Sequence, residues 1–174
     1  MMQRFWLPLL PFFTALSIAH AASSSNGTNG TNGTSAAPAL HSTEWHVDCG
    51  NNGKALDCQI VNHIVQADGN QVASIAIHPI AAGKTVAVVQ LPFGIALSAP
   101  IQLSVPGMAP VPLALNTCLP QGCFASAVFS DAFISGLIKS SQLTLSFAMA
   151  NNRSVTMGLP LDGFALAYDF VTRK

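Results

Sequence analysis

The four cysteines are the residues of this chain with the most chemical potential. Cys118 and Cys123 lie in the stretch "NTCLPQGCFA" and bracket four residues, among them a proline and a glycine. Cys49 and Cys58 bracket a segment that contains the Asn52-Gly53 turn signal. Pairs of this kind form structural disulfides, catalytic redox sites or parts of metal sites, so the first question is which chemistry they support.

A zinc site could be drawn from two of the cysteines and two nearby histidines, namely His46, Cys49, Cys58 and His63. The C-x-x-C knuckle typical of structural zinc is absent, and export favours oxidised cysteines over thiolate ligands. His78, which precedes a proline, stands alone. We therefore predict no metal site and no cofactor.

A catalytic redox pair normally uses C-x-x-C at the N-terminus of a helix. Cys118 and Cys123 are further apart and precede a predicted strand. The chain also lacks G-x-S-x-G and a glycine-rich phosphate loop, and its seven acidic residues are scattered. We predict no catalytic residues, although a redox role for this pair and a hydrolase without a recognisable motif stay open.

Disulfide bonding is the favoured state of the cysteines, because an even number in an exported chain is typical of structural cross-links. Four cysteines allow three pairings. The two local pairs are favoured, since each spans a turn. The predicted disulfide residues are Cys49, Cys58, Cys118 and Cys123.

The composition of the chain limits the classes of binding partner that we expect. Charged residues make up 8 % of the chain, and seven basic residues balance seven acidic ones. This offers no electrostatic reason to expect nucleic acid or an anionic membrane surface as partner. Half of the residues are hydrophobic, which is typical of a folded domain.

The N-terminus has the pattern of a secretory signal peptide over residues 1–21. Arg4 precedes an apolar run, and Ala19-His20-Ala21 fits the cleavage site. An N-terminal membrane anchor is the alternative, but the run is short for a span and contains prolines. No later stretch has the length of a membrane span, so we predict no transmembrane helix in the mature chain.

Residues 22–43 read as a flexible linker, and residues 44–174 as the folded domain. The linker is rich in Ser, Gly, Asn and Thr and contains a three-fold NGT repeat. The repeat and a later N-R-S form four glycosylation sequons whose use the sequence leaves open, at Asn26, Asn29, Asn32 and Asn152.

Short β-branched or alternating segments separated by turn signals predict about eight to ten strands in the domain. A first helix is predicted after the cap residues Ser130 and Asp131, with Phe133, Ile134, Leu137 and Ile138 on its apolar face. The spacing of Leu161, Phe164, Ala165 and Tyr168 predicts a short closing helix. The fold class is mostly β, an antiparallel β-sandwich with one or two short helices. The stretch "LPFGIALSAPI" is either a buried loop or an exposed apolar patch.

Several segments together resemble the invasion-associated locus B (IalB) family of exported bacterial proteins. They are, in order, "EWHVDC", "LPFGIALSAPIQLSV", "TCLPQGC" and "LTLSFAMANNRSVTMGLPLDGFALAY". The resemblance covers residues 44–170. It implies a periplasmic or outer-membrane-associated β-sandwich with two disulfides and no known enzymatic activity. Some members are linked to host-cell invasion, while others occur in bacteria that invade nothing.

The sequence thus predicts an exported, non-enzymatic envelope protein that acts by binding. Its partner would be an unknown protein or envelope component, or a host surface. The alternative is an envelope thiol-disulfide accessory protein that uses Cys118 and Cys123.

Overall fold

The computed structural model describes residues 40–51, 53, 56–80 and 83–173. The predicted signal peptide, the linker up to residue 39 and three of the four sequons lie outside these residues. The described part contains ten strands and two helices, which are β1 (Leu40–Ser42), β2 (His46–Asn51), β3 (Leu56–Gln66), β4 (Gln71–Pro79), β5 (Thr85–Leu91), β6 (Ile101–Ser104), β7 (Val111–Leu119), β8 (Gly122–Phe129), α1 (Asp131–Lys139), β9 (Gln142–Ala148), β10 (Ser154–Pro160) and α2 (Phe164–Thr172).

All strand pairs are antiparallel and form one sheet in the order β1-β3-β4-β5-β8-β7-β6-β9-β10. β2 continues along the edge of β3 beyond β1, so the two short strands share that edge. The sheet curls until β1 and β10 lie close to each other. This confirms the prediction of a mostly antiparallel β fold with one or two short helices, of which the structure shows two.

The two ends of the sheet are not joined by a ladder. Nine strands lie on the path and every neighbour is antiparallel, so β1 and β10 run in the same direction. A closing ladder would have to be parallel, unlike every other pair in the sheet. The curled sheet is therefore nearly closed, with a seam between β1 and β10.

Alternation along the strands fills the interior. β4, β5 and β9 each place every second side chain in the core, as expected for strands with one buried face. Residues from both ends of the sheet belong to a single apolar cluster. Its largest fully buried side chains are Phe133, Phe164, Ile60, Ile64, Ile75, Ile77, Leu91, Leu103, Leu137, Leu143, Leu145 and Leu159.

Helix α1 begins as predicted, because the Ser130 hydroxyl accepts a hydrogen bond from the Phe133 amide. Three of its four predicted apolar residues are buried, whereas Ile138 is 44 % exposed. The prediction for Ile138 was wrong, since this position turns away from the core. No helix within the described ranges is long and apolar enough to cross a membrane.

Helix α2 packs against β2, β3 and α1. The predicted apolar spacing starts at Leu161, but the helix begins three residues later, at Phe164. Leu161 is buried and precedes the helix. Ala165 is exposed and Tyr168 half-buried, so the inward face is narrower than predicted. The Arg173 guanidinium, hydrogen-bonded to Asp169, holds the pKa of that carboxyl below its usual value.

Two strands arise where none was predicted. β1 lies in residues assigned to the linker, so the folded domain includes at least Leu40–Ser42. β7 follows a proline-rich region and is mostly exposed. The stretch "LPFGIALSAPI" is partly buried and partly exposed. Leu91, Ile95 and Ile101 are buried, while Phe93 and Leu97 are exposed.

Candidate functional site

Both cysteine pairs form cross-strand disulfides within hairpins. Cys49 in β2 is the direct partner of Cys58 in β3, with the Cα atoms 4.0 Å apart. Cys118 in β7 is the direct partner of Cys123 in β8, at 3.9 Å. These are the two local pairings, and the antiparallel register alone brings each pair together.

The disulfide decides how the set of His46, Cys49, Cys58 and His63 is interpreted. Cys49 and Cys58 are joined to each other, so neither is available as a thiolate ligand for zinc. The two histidines of the set do meet, because β2 and β3 are neighbours. The imidazole rings of His46 and His63 are stacked with centroids 5.5 Å apart. The register of one hairpin thus accounts for the whole cluster without a metal.

The second disulfide lies in a hairpin between two strands. Cys123 is 3 % exposed and belongs to the core cluster, whereas Cys118 is exposed. Redox-active cysteines are typically activated at the N-terminus of a helix. Cys118 and Cys123 lie instead in two paired strands.

We expect each disulfide to stabilise the fold. The paired changes Cys49→Ser/Cys58→Ser and Cys118→Ser/Cys123→Ser should each lower the free energy of unfolding by about 2–3 kcal/mol, because each bond closes a short loop in the unfolded chain. Urea unfolding of the oxidised protein and of each double variant measures this. An unchanged midpoint in either double variant would show that its bond constrains nothing.

One histidine-carboxylate pair lies in a shallow depression of the surface. His78 Nε2 is 2.7 Å from Asp57 Oδ1. The other residues that line the depression are Asp48, Gly50, Asn51 and Gln59. His78, which stood alone in the sequence, thus has a carboxylate partner within hydrogen-bonding distance.

A cavity lies at the open part of the seam between β1 and β10. Its volume is about 530 Å³, within the ~300–1,000 Å³ typical of small-molecule sites. Residues of β1 form one wall, and residues of β10 form the other. At the opposite end of the seam the Trp45 indole N–H donates a hydrogen bond to the Pro160 carbonyl oxygen at 2.7 Å, which holds the two sides together there.

The cavity is graded from an apolar floor to a polar rim. Buried residues from strands near the two ends of the sheet form the floor of the cavity, namely Ile64, Ala73, Phe147 and Met157. Half-buried apolar side chains form much of the walls, namely Val72, Pro92, Met149 and Val155. Polar side chains surround the mouth, namely His41, Gln66, Arg153, Ser154 and Thr156.

The sequence analysis did not find this cavity. Its residues come from β1, β3, β4, β9 and β10 and from the segments that follow β5 and β9. They are far apart in the sequence and form no sequence motif together. Arg153 was seen only as the middle residue of a sequon. The one local signal was the cation itself, in a chain where charged residues are scarce.

Comparison with known proteins points in one direction. The family model described as invasion associated locus B (IalB) protein matches residues 45–172. An invasion protein B homolog of Brucella abortus is 29 % identical over 128 residues, covering 72 % of this chain and 74 % of that protein. Invasion protein B of Bartonella bacilliformis is 29 % identical over 132 residues, covering 74 % of this chain and 71 % of that protein.

A solved structure agrees. The crystal structure of invasion associated protein B from Bartonella henselae matches with a TM-score of 0.68 at 25 % identity, covering 73 % of this chain and 89 % of that one. The matched region of the family model contains all four cysteines.

Proposed function

Because the chain belongs to the invasion associated locus B family, we propose that it is an exported, non-enzymatic protein of the bacterial cell envelope that acts by binding. The observation that carries the proposal is the family match over residues 45–172, which spans nearly the whole described domain. Since the relatives are named invasion proteins, we extend the proposal to a contribution to host-cell interaction or invasion. The proposed location is periplasmic or outer-membrane-associated, reached through cleavage of the signal peptide.

The two disulfides support the extracytoplasmic part of the proposal. Cross-links of this kind form and persist in oxidising compartments such as the periplasm. The non-enzymatic part is supported by the relatives, which are named invasion proteins and not enzymes.

The location is tested in the source bacterium. Fractionated cells are treated with a thiol-reactive polyethylene glycol before and after reduction. We expect the protein in the envelope fractions, at a mass lacking residues 1–21, with no labelled thiol before reduction and four afterwards. Four free thiols in the cytoplasmic fraction would contradict the proposal.

The mode of action is tested by crosslinking in intact cells, followed by mass spectrometry, and by host-cell association of a deletion strain. We expect a reproducible crosslinked partner, and a loss of association that the wild-type gene restores. A reduction potential of the Cys118–Cys123 bond well above about −300 mV would instead favour the thiol-disulfide alternative. Full association of the deletion strain would remove the host-contact part.

A further inference from the structure

We propose that the cavity between β1 and β10 binds a single-chain amphiphile with an anionic head group, such as a fatty carboxylate. The alkyl chain lies on the apolar floor, and the head group lies at the rim beside Arg153. This ligand site goes beyond the envelope-binding function and does not depend on it.

The width of the seam excludes another kind of ligand, an extended peptide that would pair with β1 and β10 and complete the sheet. A strand hydrogen-bonded to both β1 and β10 would need roughly 9.5 Å between them, which is twice the spacing of neighbouring strands. Cα atoms of β1 and β10 approach to within 8 Å. The seam is therefore too narrow for a backbone with its two ladders, while an alkyl chain needs no hydrogen bonds.

The distribution of polarity fits an amphiphile. The floor residues Ile64, Phe147 and Met157 are apolar and at most 7 % exposed, so the bottom of the cavity offers a ligand no polar side chain. The rim residues His41, Arg153 and Thr156 are exposed. A ligand that is apolar at one end and polar at the other matches this gradient, whereas a uniformly polar ligand would lose its hydration on the floor.

The charge at the rim selects the head group. Arg153 and His41 line the cavity, and no aspartate or glutamate does. Within the described ranges, no carboxylate lies at salt-bridge distance from the Arg153 guanidinium. The turn that carries Arg153 is fixed, since the Met149 amide donates to the Arg153 carbonyl oxygen at 2.8 Å and the Arg153 amide donates to Asn151 Oδ1 at 3.1 Å. A cation on an ordered turn, without a carboxylate partner among the described residues, is well placed to bind a carboxylate.

An exposed aromatic residue follows the cavity wall in the sequence. Phe93 is 57 % exposed and follows Pro92, which lines the cavity. The next residue, Gly94, accepts a hydrogen bond at 2.7 Å from the Ala150 amide, which holds this loop against the β9–β10 turn. Phe93 therefore adds exposed apolar surface next in sequence to a residue of the cavity wall.

The test is calorimetric titration of the mature protein, purified after export, with laurate and with its neutral glycerol ester, monolaurin, both below their critical micelle concentrations. We expect one saturable site for laurate. Affinity should rise about fourfold for each methylene group added between octanoate and laurate, because each added group is buried. Arg153→Gln should weaken laurate binding about five- to tenfold and change monolaurin binding less than twofold. The matched control Lys139→Gln removes a cation from α1, away from the cavity, and should change neither.

A second variant tests the cavity itself. Val155→Trp should fill the space between the walls and weaken the binding of both ligands at least tenfold. If this variant does not fold, Val72→Trp is used in its place, because it fills the cavity from another strand. Absence of saturable laurate binding, affinity independent of chain length, or equal loss with Arg153→Gln and Lys139→Gln would each overturn the proposal. A dimer that Val155→Trp dissociates, together with no laurate binding, would show that a second copy occupies the cavity.

Discussion

Replacing Trp45 by alanine is expected to lower the free energy of unfolding by about 3–5 kcal/mol, the usual cost of removing a large buried aromatic side chain. Trp45 is 8 % exposed and lies between β1 and β2. Its ring meets Phe164 edge-on, with centroids 5.1 Å apart, and its N–H binds the carbonyl oxygen at the end of β10. One side chain thus joins the first strands of the sheet to the last strand and to α2.

The effect follows from the missing ladder. Since β1 and β10 share no backbone hydrogen bonds, side chains must hold the seam, and Trp45 does so across 115 residues of sequence. Loss of the ring leaves a void against Phe164 and an unpartnered carbonyl at Pro160. Both losses belong to the native state, so thermal unfolding should show a midpoint lower by about 10 °C or more.

Two further variants separate the contributions. Trp45→Phe keeps an aromatic ring but removes the donor, and should cost about 1–2 kcal/mol. Leu166→Ala is the surface control, because Leu166 is 78 % exposed, and it should stay within about 0.5 kcal/mol of wild type. A Trp45→Ala variant as stable as Leu166→Ala would show that the seam is held elsewhere.

The parts of the fold that could be predicted are those whose signal is local. β9 and β10 alternate apolar and polar residues along their length, and the Ser130 cap precedes a helical apolar face, so short windows were sufficient. The hairpin pairing of the cysteines is also local, because each pair spans one turn. Such features depend on backbone periodicity and turn chemistry rather than on distant contacts.

The parts that were missed depend on distant contacts. β1 is three residues long and is a strand only because β3 pairs with it. β7 has a register shift between Leu115 and Thr117, which breaks the alternation that would have revealed it. The cavity exists because a path of nine alternating strands ends in two parallel edges, a property of the whole topology that no segment of the sequence carries.

Gly122 provides the second large prediction. It opens β8, is buried, and has a φ of 136°, in the region that side chains other than glycine rarely adopt. A Cβ atom at this position would lie 2.4 Å from the carbonyl oxygen of Leu91. Gly122→Ala should therefore lower the free energy of unfolding by about 2–4 kcal/mol, because both the backbone angle and the contact must change.

The contact lies where three strands meet, which is why it cannot relax easily. Leu91, at the end of β5, pairs with Cys123, and Cys123 is bonded to Cys118 in β7. The backbone at Gly122 is therefore held from both sides, by the β5–β8 ladder and by the disulfide-closed hairpin. Any shift that accommodates a methyl group must break one of these constraints.

A matched control is available at the other disulfide. Gly50 follows Cys49 as Gly122 precedes Cys123, but a Cβ atom there meets nothing closer than 4.0 Å and its φ is not positive. Gly50→Ala should leave the urea midpoint unchanged or raise it slightly, since alanine loses less backbone entropy in a strand. Opposite signs for two glycine-to-alanine changes beside a cysteine would assign the cost to the Leu91 contact and the φ of Gly122. Equal and small effects would mean that β5 and the β7–β8 hairpin are not as closely packed as the structure places them.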